Sequence, residues 1–489
     1  MISAPNHRLL SNGNNRLLLL AVLLVGISSC ELFQPVQETE REDRETLDAI
    51  QGRRVYNEET GEWVVLNNMP SEELDTLNWK EVPESQAPPI VSSGAFTDAR
   101  EQAQPRTNEY GSEFYNAYNV AVILPFLTDR FNPTTGNIDP NSSWALHFYS
   151  GAKLALRQLE SEGISLKLDV LDSKASTAEV TRLVRSNEAL RQSNFILGPY
   201  LRDNVRELAE FAKRSEITMA SPYSAATDLT SNNPYFIQVS PTLPTHCTAI
   251  ARHALQRFEP EQIVLVSRDD AAEKSRLQYF QSEHFRRAGS RNANKLQEFI
   301  ISSQTGDYSD LNDMPFIQLS DTTVFIIPSW EENFIYSFLR KLDLAKEDYQ
   351  HIIIYGMPQW MRFEYIDLDY YEKMNVHVSS NYYLDPLAPS VQFFKRKYFQ
   401  DFGAVAPLEA FLGFDTMLYF GRMLKKHGTR FQYALESEPD QYLHTRFEFE
   451  RVVQPTAATG TENLPIERFE NKYVHILRFE DYQFQLTEY

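Results

Sequence analysis

Residues 195–224, FILGPYLRDNVRELAEFAKRSEITMASPYS, constrain the fold more than any other stretch. Phe195-Ile196-Leu197 is a short apolar run without alternation, the pattern of a strand buried on both faces. Gly198-Pro199 breaks that run. Asn204 is placed to cap a helix in which Val205, Leu208, Ala209 and Ala212 recur at helical spacing. Ile217 to Ala220 is the next strand, closed by Ser221-Pro222. Strand, helix and strand in this order form a βαβ unit with parallel strands. The turns leaving the carboxyl ends of such strands are where open α/β sheets bind ligands.

The same rhythm extends along the chain. It starts sharply at Asn119 with the buried-strand run Val120 to Phe126. Helix Ser143–Glu162, strand Leu166–Leu171, helix Thr177–Gln192 and strand Tyr235–Ser240 complete a first series. A second series follows, with helix Thr245–Phe258, strand Ile263–Ser267, helix Lys274–Ala288 and strand Leu296–Ile301. Strands Thr323–Ile327 and His351–Tyr355 flank helix Glu331–Leu342, and Val376–Tyr383 is extended. Helices Ser390–Phe402 and Glu409–His427 come next, then late strands Phe447–Val453 and Tyr473–Phe479 across a polar loop, 454–464, that reads as mobile. Alternation of this kind predicts two lobes, each with a mainly parallel sheet between helices.

The net charge of −20 argues against nucleic acid as a partner, since binding its phosphate backbone needs a basic surface. The amino terminus carries the address. Arg8 and Arg16 precede an eleven-residue run, Leu17 to Ile27, that is apolar apart from Gly26. A basic start, a short apolar run and small residues at the break make a signal peptide; a span needs about 20 apolar residues. Its ending, Ile27-Ser28-Ser29-Cys30, resembles a bacterial lipobox, which implies lipid on Cys30 and attachment to a membrane. Cys247 is then left alone, so no intrachain disulfide is expected. Glu31 stands where aspartate resembles an inner-membrane retention signal, which favours the outer membrane. The next residues to about Tyr115 read as a tether: ETEREDRETLD at 38–48 has almost no large apolar groups, and five prolines punctuate the rest. Two apolar islands, Trp63–Leu66 and Leu74–Trp79, interrupt it. At about 3 Å per residue, roughly 85 tether residues reach on the order of 100 Å or more.

No chemistry of an enzyme is legible. There is no Gly-rich phosphate loop, no G-x-S-x-G elbow and no H-E-x-x-H pair; His246 and His253 stand seven apart. No cofactor and no metal are expected. Cys247 reads as a small buried residue near a helix start.

ILPF at 123–126, FYSGAKLAL at 148–156, LDS at 171–173, ILGP at 196–199, ASPYS at 220–224 and NPYFIQVSPT at 233–242 fall in an order that resembles the type 1 periplasmic-binding-protein fold, in the branch of branched-chain amino-acid receptors. The resemblance covers roughly Asn119 to His427. It implies two α/β lobes joined by three crossovers, near Ser240-Pro241, near Tyr383–Pro386 and after Phe431, with a small molecule held in the cleft. The domains implied are a signal peptide at 1–29, a tether at 30–118, a first lobe at 119–243 returning at 384–430, a second lobe at 244–383, and a crossover with late strands at 431–489. Amino-acid receptors carry small hydroxyl residues after the third-strand glycine; here Pro199 to Asn204 stands in that place and bulky Tyr223 intrudes after the fourth strand. GPYLRDNVRELAEFA at 198–212 looks closer to outer-membrane lipoprotein activators of penicillin-binding proteins. That resemblance implies a non-catalytic, lipid-anchored envelope protein that modulates peptidoglycan synthesis through a protein partner. The alternative is the substrate-binding receptor of an ABC-type amino-acid importer.

Candidate ligand contacts sit at carboxyl ends of strands: Tyr200 and Arg202, Ser221, Tyr223 and Ser224, Trp330 and Glu331, Trp360, Asp385, and Asp415 on the helix that resembles the cleft helix. Aromatic faces there suit a sugar or an apolar group, and Arg202 suits a carboxylate. Trp360 reads equally as an interdomain plug. Apart from these, Glu364 to Tyr371 is an acidic, tyrosine-rich stretch that fits a partner surface or a lobe-edge loop.

Overall fold

The computed structural model describes residues 53–57, 62–66, 106–107, 111–290, 292–302, 322–346, 350–453 and 465–487. The signal segment, Cys30, most of the tether, the Leu74–Trp79 island and the 454–464 loop lie outside them. The chain divides into two compact units, 1–92 and 93–489. In the first, β1 (Arg53–Asn57) pairs antiparallel with β2 (Glu62–Leu66), so the Trp63 island belongs to a hairpin.

In the second unit a short pair, β3 (Arg106–Thr107) and β4 (Glu113–Phe114), precedes two seven-stranded sheets. The first lobe begins with β5 (Ala117–Leu124), α1 (Ser143–Ser161), β6 (Ser165–Asp172), α2 (Thr177–Ser186), α3 (Glu188–Arg191) and β7 (Phe195–Leu197). It continues with α4 (Arg202–Ser215), β8 (Thr218–Ser221) and β9 (Phe236–Gln238). The chain then crosses to the second lobe: α5 (Leu243–Arg257), β10 (Ile263–Arg268), α6 (Ala271–Ala288), β11 (Gln297–Ile301), β12 (Thr323–Ile326), α7 (Glu332–Ala345), β13 (Ile352–Gly356), α8 (Leu368–Lys373) and β14 (Val376–Ser380). It returns through α9 (Pro389–Phe402), α10 (Leu408–His427), the short pair β15 (Asp440–Gln441) and β16 (Arg446–Phe447), and β17 (Phe449–Val453) with β18 (Ile466–Asn471). A last crossing at 472–474 leads to β19 (His475–Glu480) and β20 (Gln483–Leu486) in the second lobe. The sheet orders are β17-β18-β9-β8-β7-β5-β6 and β11-β10-β12-β13-β14-β19-β20. Strands β5 to β9 and β18 run parallel, as do β10 to β14; β17 and β19 are antiparallel to their inner neighbours.

Burial on both faces explains the apolar runs. Val120, Val122, Leu124, Phe195 and Leu197 face a core with α1 and α10, while Ala121, Ile123, Ile196 and Met219 face a core with α2 and α4. Each fully buried Leu, Val or Phe stabilises the lobe by about 1.5–3 kcal/mol. Helices α1 and α10 approach closely because glycines face backbone: a Cβ on Gly151 would lie 1.9 Å from the Ala410 carbonyl oxygen, and one on Gly413 would lie 2.0 Å from that of Phe148. Neither contact leaves room for a methyl group.

The elements depart from the sequence reading in several places. The helix expected over Thr177–Gln192 breaks at Asn187, whose extended backbone and side-chain oxygen cap α3 through Leu190 N at 2.8 Å. Helix α6 starts at Ala271, not Lys274, because Asp270 caps it through Ala272 N and Glu273 N, both at 3.0 Å. Strands β18 and β20 were not expected. In β18, IERFEN, the buried residues include Glu470 and Asn471, so apolar periodicity does not mark it.

Candidate functional site

Sheet order locates the site before any side chain does. In the first lobe the chain runs from β5 to β6 on one side, then moves to β7 on the other, so the order reverses between β5 and β7. In the second lobe it reverses between β10 and β12. The crevice outside the carboxyl ends at such a reversal is where open α/β sheets hold ligands. The relevant segments are 125–142 and 198–201 in the first lobe, and 269–270 and 327–331 in the second.

The β7 turn is tightly set. Gly198 has φ of +110°, and a Cβ there would lie 2.0 Å from the Ile123 carbonyl oxygen, so only glycine lets β7 leave the sheet here. The turn presents Tyr200, 42% exposed. Its ring lies 4.7 Å from Trp144 and 5.9 Å from Tyr223, while Trp144 and Tyr223 are themselves 4.7 Å apart and meet edge to face. Phe148 supports Tyr223 at 5.9 Å. Burial pushes the Tyr223 phenol well up, aided by nearby Glu409 and Tyr200, and its hydroxyl has no hydrogen-bond partner among the described residues. The carboxyl edge of this lobe is thus an aromatic cluster. Beside it, Asp172 at the end of β6 accepts from the amides of Phe126, Thr128 and Lys174 at 2.9, 2.8 and 2.8 Å and fixes the loop after β5. Burial pushes the Asp172 carboxyl up, but the Thr128 and Lys174 amides outweigh that and hold it below its usual range.

The other first-lobe candidates take different roles. Arg202 pairs with Asp228 on the surface. Ser221 is buried at the end of β8, with its hydroxyl 3.4 Å from the Pro199 carbonyl. The Ser224 carbonyl accepts from Gln238 Nε2 at 2.8 Å.

In the second lobe Trp330 is 41% exposed after β12, and the Arg276 guanidinium lies 3.5 Å over its ring. Arg276 also donates to the Pro328 carbonyl at 2.7 Å. Below it, Glu273 accepts from Arg268 Nη2 at 2.7 Å and from Ser329 Oγ at 2.6 Å. Glu331 caps α7 through Phe334 N at 2.8 Å. Trp360 is a core residue: it is 1% exposed, lies on Gly356, and donates from Nε1 to the Ser329 carbonyl at 2.8 Å. It braces the Trp330 turn from beneath. Within the 364–371 stretch, Ile366 and Tyr371 pack into this core and Tyr365 is exposed.

Asp385 and Asp415 lie near the second crossing. Asp385 accepts from Leu387 N at 2.8 Å and closes a turn. Asp415 is fully buried and holds His444 through its amide at 2.9 Å and through Nδ1. The His444 carbonyl in turn accepts from Tyr383 N at 2.7 Å. A polar clasp joins the other crossings. Glu470 Oε1 accepts from the hydroxyls of Thr242 and Thr245, both at 2.6 Å, and its Oε2 meets Arg468 at 2.8 Å and Lys472 at 3.0 Å. Asn381 Nδ2 reaches Ser240 Oγ at 3.4 Å and the Asn381 carbonyl accepts from Thr445 at 2.9 Å.

The structure therefore brings Tyr200 and Tyr223 together, places Trp330 and Glu331 at the second lobe's switch point, and sets the remaining candidates in caps, pairs or core. Trp144 was missed. Its signal was a tryptophan at the first turn of the helix that follows β5. Glu470 was missed as well, because a buried carboxylate leaves no periodic trace.

No protein-family model matches the chain, and no curated protein matches it by sequence. Solved structures match the fold. A protein of Rhodospirillum rubrum assigned to branched-chain amino acid ABC transport is 15% identical over 76% of this chain and 100% of its own, with a TM-score of 0.55. An ABC transporter substrate-binding protein of Desulfitobacterium hafniense is 16% identical over 76% of this chain and 100% of its own, with a TM-score of 0.50. A branched-chain amino acid ABC transporter periplasmic ligand-binding protein of Burkholderia xenovorans is 11% identical over 76% of this chain and 94% of its own, also at 0.50. With its two mainly parallel sheets and the chain passing three times between them, residues 111–487 have the type 1 periplasmic-binding-protein fold.

Proposed function

We propose that this chain is a non-catalytic binding protein of the cell envelope, held at the outer membrane by lipid on Cys30 and facing the periplasm, whose lobes close on a small molecule with a flat or ring-shaped face. The aromatic cluster of Trp144, Tyr200 and Tyr223 carries this reading. A free amino acid needs donors for its carboxylate and acceptors for its ammonium group, and these three rings supply mainly faces and edges. Trp330 with Arg276 beneath it provides a second flat face and a cation on the other lobe. The basic start, the apolar run and Ile27-Ser28-Ser29-Cys30 support the anchor.

Thermal-shift titration of the full chain with leucine, benzoate and an N-acetylglucosamine disaccharide tests the ligand. A ring-bearing compound is expected to raise the melting temperature by mass action. Tyr200→Ala is expected to weaken that compound about 5- to 10-fold, the worth of one aromatic stacking contact. Leucine binding that survives Tyr200→Ala would favour the importer-receptor reading instead.

A second reading, an anchored regulator of peptidoglycan synthesis, is favoured by one observation. Phe131 and Ile138, both about half exposed, and Val170 border an apolar groove of about 390 Å³ at the carboxyl edge of the first lobe. Exposed apolar surface of this kind suits a protein partner. Pull-down of the full chain from detergent-solubilised envelope is expected to recover a cell-wall synthase, and Cys30→Ser is expected to move the chain to the soluble fraction. Recovery of transporter subunits alone rejects the regulator, and a membrane-bound Cys30→Ser chain rejects the anchor.

A further inference from the structure

Helix α9 has one face in the core and one in solvent. Val391, Phe394 and Tyr398 are buried and pack with Leu154, Ala410 and Phe411. Tyr398 is fixed there, its hydroxyl 2.6 Å from His147 Nδ1. The other face holds Phe393 and Phe399, with Leu387 just before the helix and Val405 just after it. These four apolar side chains are 57 to 79% exposed. Arg396, also exposed, lies one helical turn from each phenylalanine, so the two rings flank a guanidinium.

Charge indicates what covers this face. Residues 389–402 carry three cations, Lys395, Arg396 and Lys397, and a single carboxylate, Asp401. Asp401 is taken up by Lys397 at 3.2 Å and by Arg157 of α1. Lys395 and Arg396 have no ion-pair partner among the described residues. A second copy meeting α9 across a two-fold axis would set these cations against themselves. The outer side of a helix is convex and offers a small molecule no enclosure. An anionic lipid surface satisfies both halves of the pattern: aromatic rings enter the boundary between headgroups and acyl chains, and Lys and Arg reach the headgroup phosphates on long stems. The net charge of −20 does not oppose this locally, because exposed charges more than about 8 Å away are screened at physiological salt. We propose that α9 docks on an anionic membrane surface, with Phe393 and Phe399 in the headgroup boundary and Lys395 and Arg396 on lipid phosphates. This contact does not require lipid on Cys30; an anchor would only raise its local concentration.

Hydrogen exchange of the full chain carrying Cys30→Ser tests the helix apart from the anchor. The chain is mixed with vesicles of phosphatidylglycerol and phosphatidylethanolamine, or of phosphatidylcholine alone. Amides of α9 are expected to gain protection on the phosphatidylglycerol vesicles and not on phosphatidylcholine. Adding Arg396→Gln is expected to raise the lipid concentration that half-protects α9 about fivefold, the worth of one cation near an anionic surface. Adding Phe399→Ser is expected to raise it about tenfold, through lost apolar burial. Both side chains are exposed, so both variants should keep the parent melting temperature. The apolar run at 17–27 is common to every variant, so differences at α9 do not come from it. Protection of α9 that appears without vesicles as the protein concentration rises assigns a second copy and overturns the proposal. So does an absent gain on phosphatidylglycerol, an equal gain on both vesicles, or a half-protecting concentration that neither substitution moves.

Discussion

Lowering the pH from neutrality toward about 4.5 is expected to unfold the second lobe ahead of the first. Four of its histidines are buried as neutral rings: His246 and His253 on α5, His377 on β14 and His475 on β19. Burial pushes His246, His377 and His475 down to about 4 and His253 down to about 3. Positive neighbours add to this for His253 and His377, whereas Glu470 partly opposes it for His246. An unfolded histidine takes up its proton near pH 6.5. Between that value and the folded pKa the unfolded chain therefore binds more protons, so acid favours unfolding and the stability falls as pH drops. At about pH 4.5 each ring contributes on the order of 2 kcal/mol of destabilisation, and the four together rival the roughly 5–15 kcal/mol that holds a domain folded. Hydrogen exchange at several pH values, corrected for intrinsic rates, should show α5, β13, β14 and β19 losing protection while β5 to β8 keep theirs. His253→Gln, which cannot take up a proton, should move the acid midpoint downward. Equal protection of both lobes from pH 7.5 down to 5 would sink the idea.

The same histidines show where sequence reading stops. The strands of both lobes were legible because parallel strands covered on both faces must be apolar along their whole length, as in Val120–Leu124 and Phe195–Leu197. Tyr200 and Tyr223 were singled out because residues that follow a strand in a βαβ unit lie at the carboxyl edge of the sheet. What could not be read was any residue whose role depends on a distant partner. Trp360 follows a strand as a ligand contact would, yet its indole is held in the core by Gly356 and the Ser329 carbonyl. Arg202 and Asp385 look free in the sequence and are occupied by Asp228 and by a local turn. His253, Arg257, His377 and Arg478 lie as far apart in sequence as 253 and 478 and meet only because β19 pairs with β14. The third crossing was expected after Phe431, but its place at 472–474 was hidden for the same reason: β18 buries Glu470 and Asn471, so it reads as a polar connection.

Replacing Glu470 is expected to be the most damaging single change at the crossings. Its carboxylate is fully buried and is met by two threonine hydroxyls, the Thr242 amide at 3.2 Å, Arg468 and Lys472. Burial alone pushes the acid up, but Lys472, the threonine hydroxyls and Arg468 outweigh that and hold it down to about 2. A carboxyl depressed on folding contributes stability that is present above its unfolded pKa and lost as pH falls through the interval toward about 2. Glu470→Gln keeps the shape and leaves two cations without their counter-charge, a loss of about 3–5 kcal/mol. Since Thr242 and Thr245 flank the first crossing while Lys472 opens the third, the damage should fall on the junction rather than on either sheet. Chemical denaturation of Glu470→Gln is therefore expected to split one transition into two, with the lobes unfolding separately. Adding Lys472→Met should recover part of the loss, because it removes one of the stranded cations. A single transition within about 1 kcal/mol of the wild type would mean that hydrophobic contact, not this carboxylate, joins the two halves.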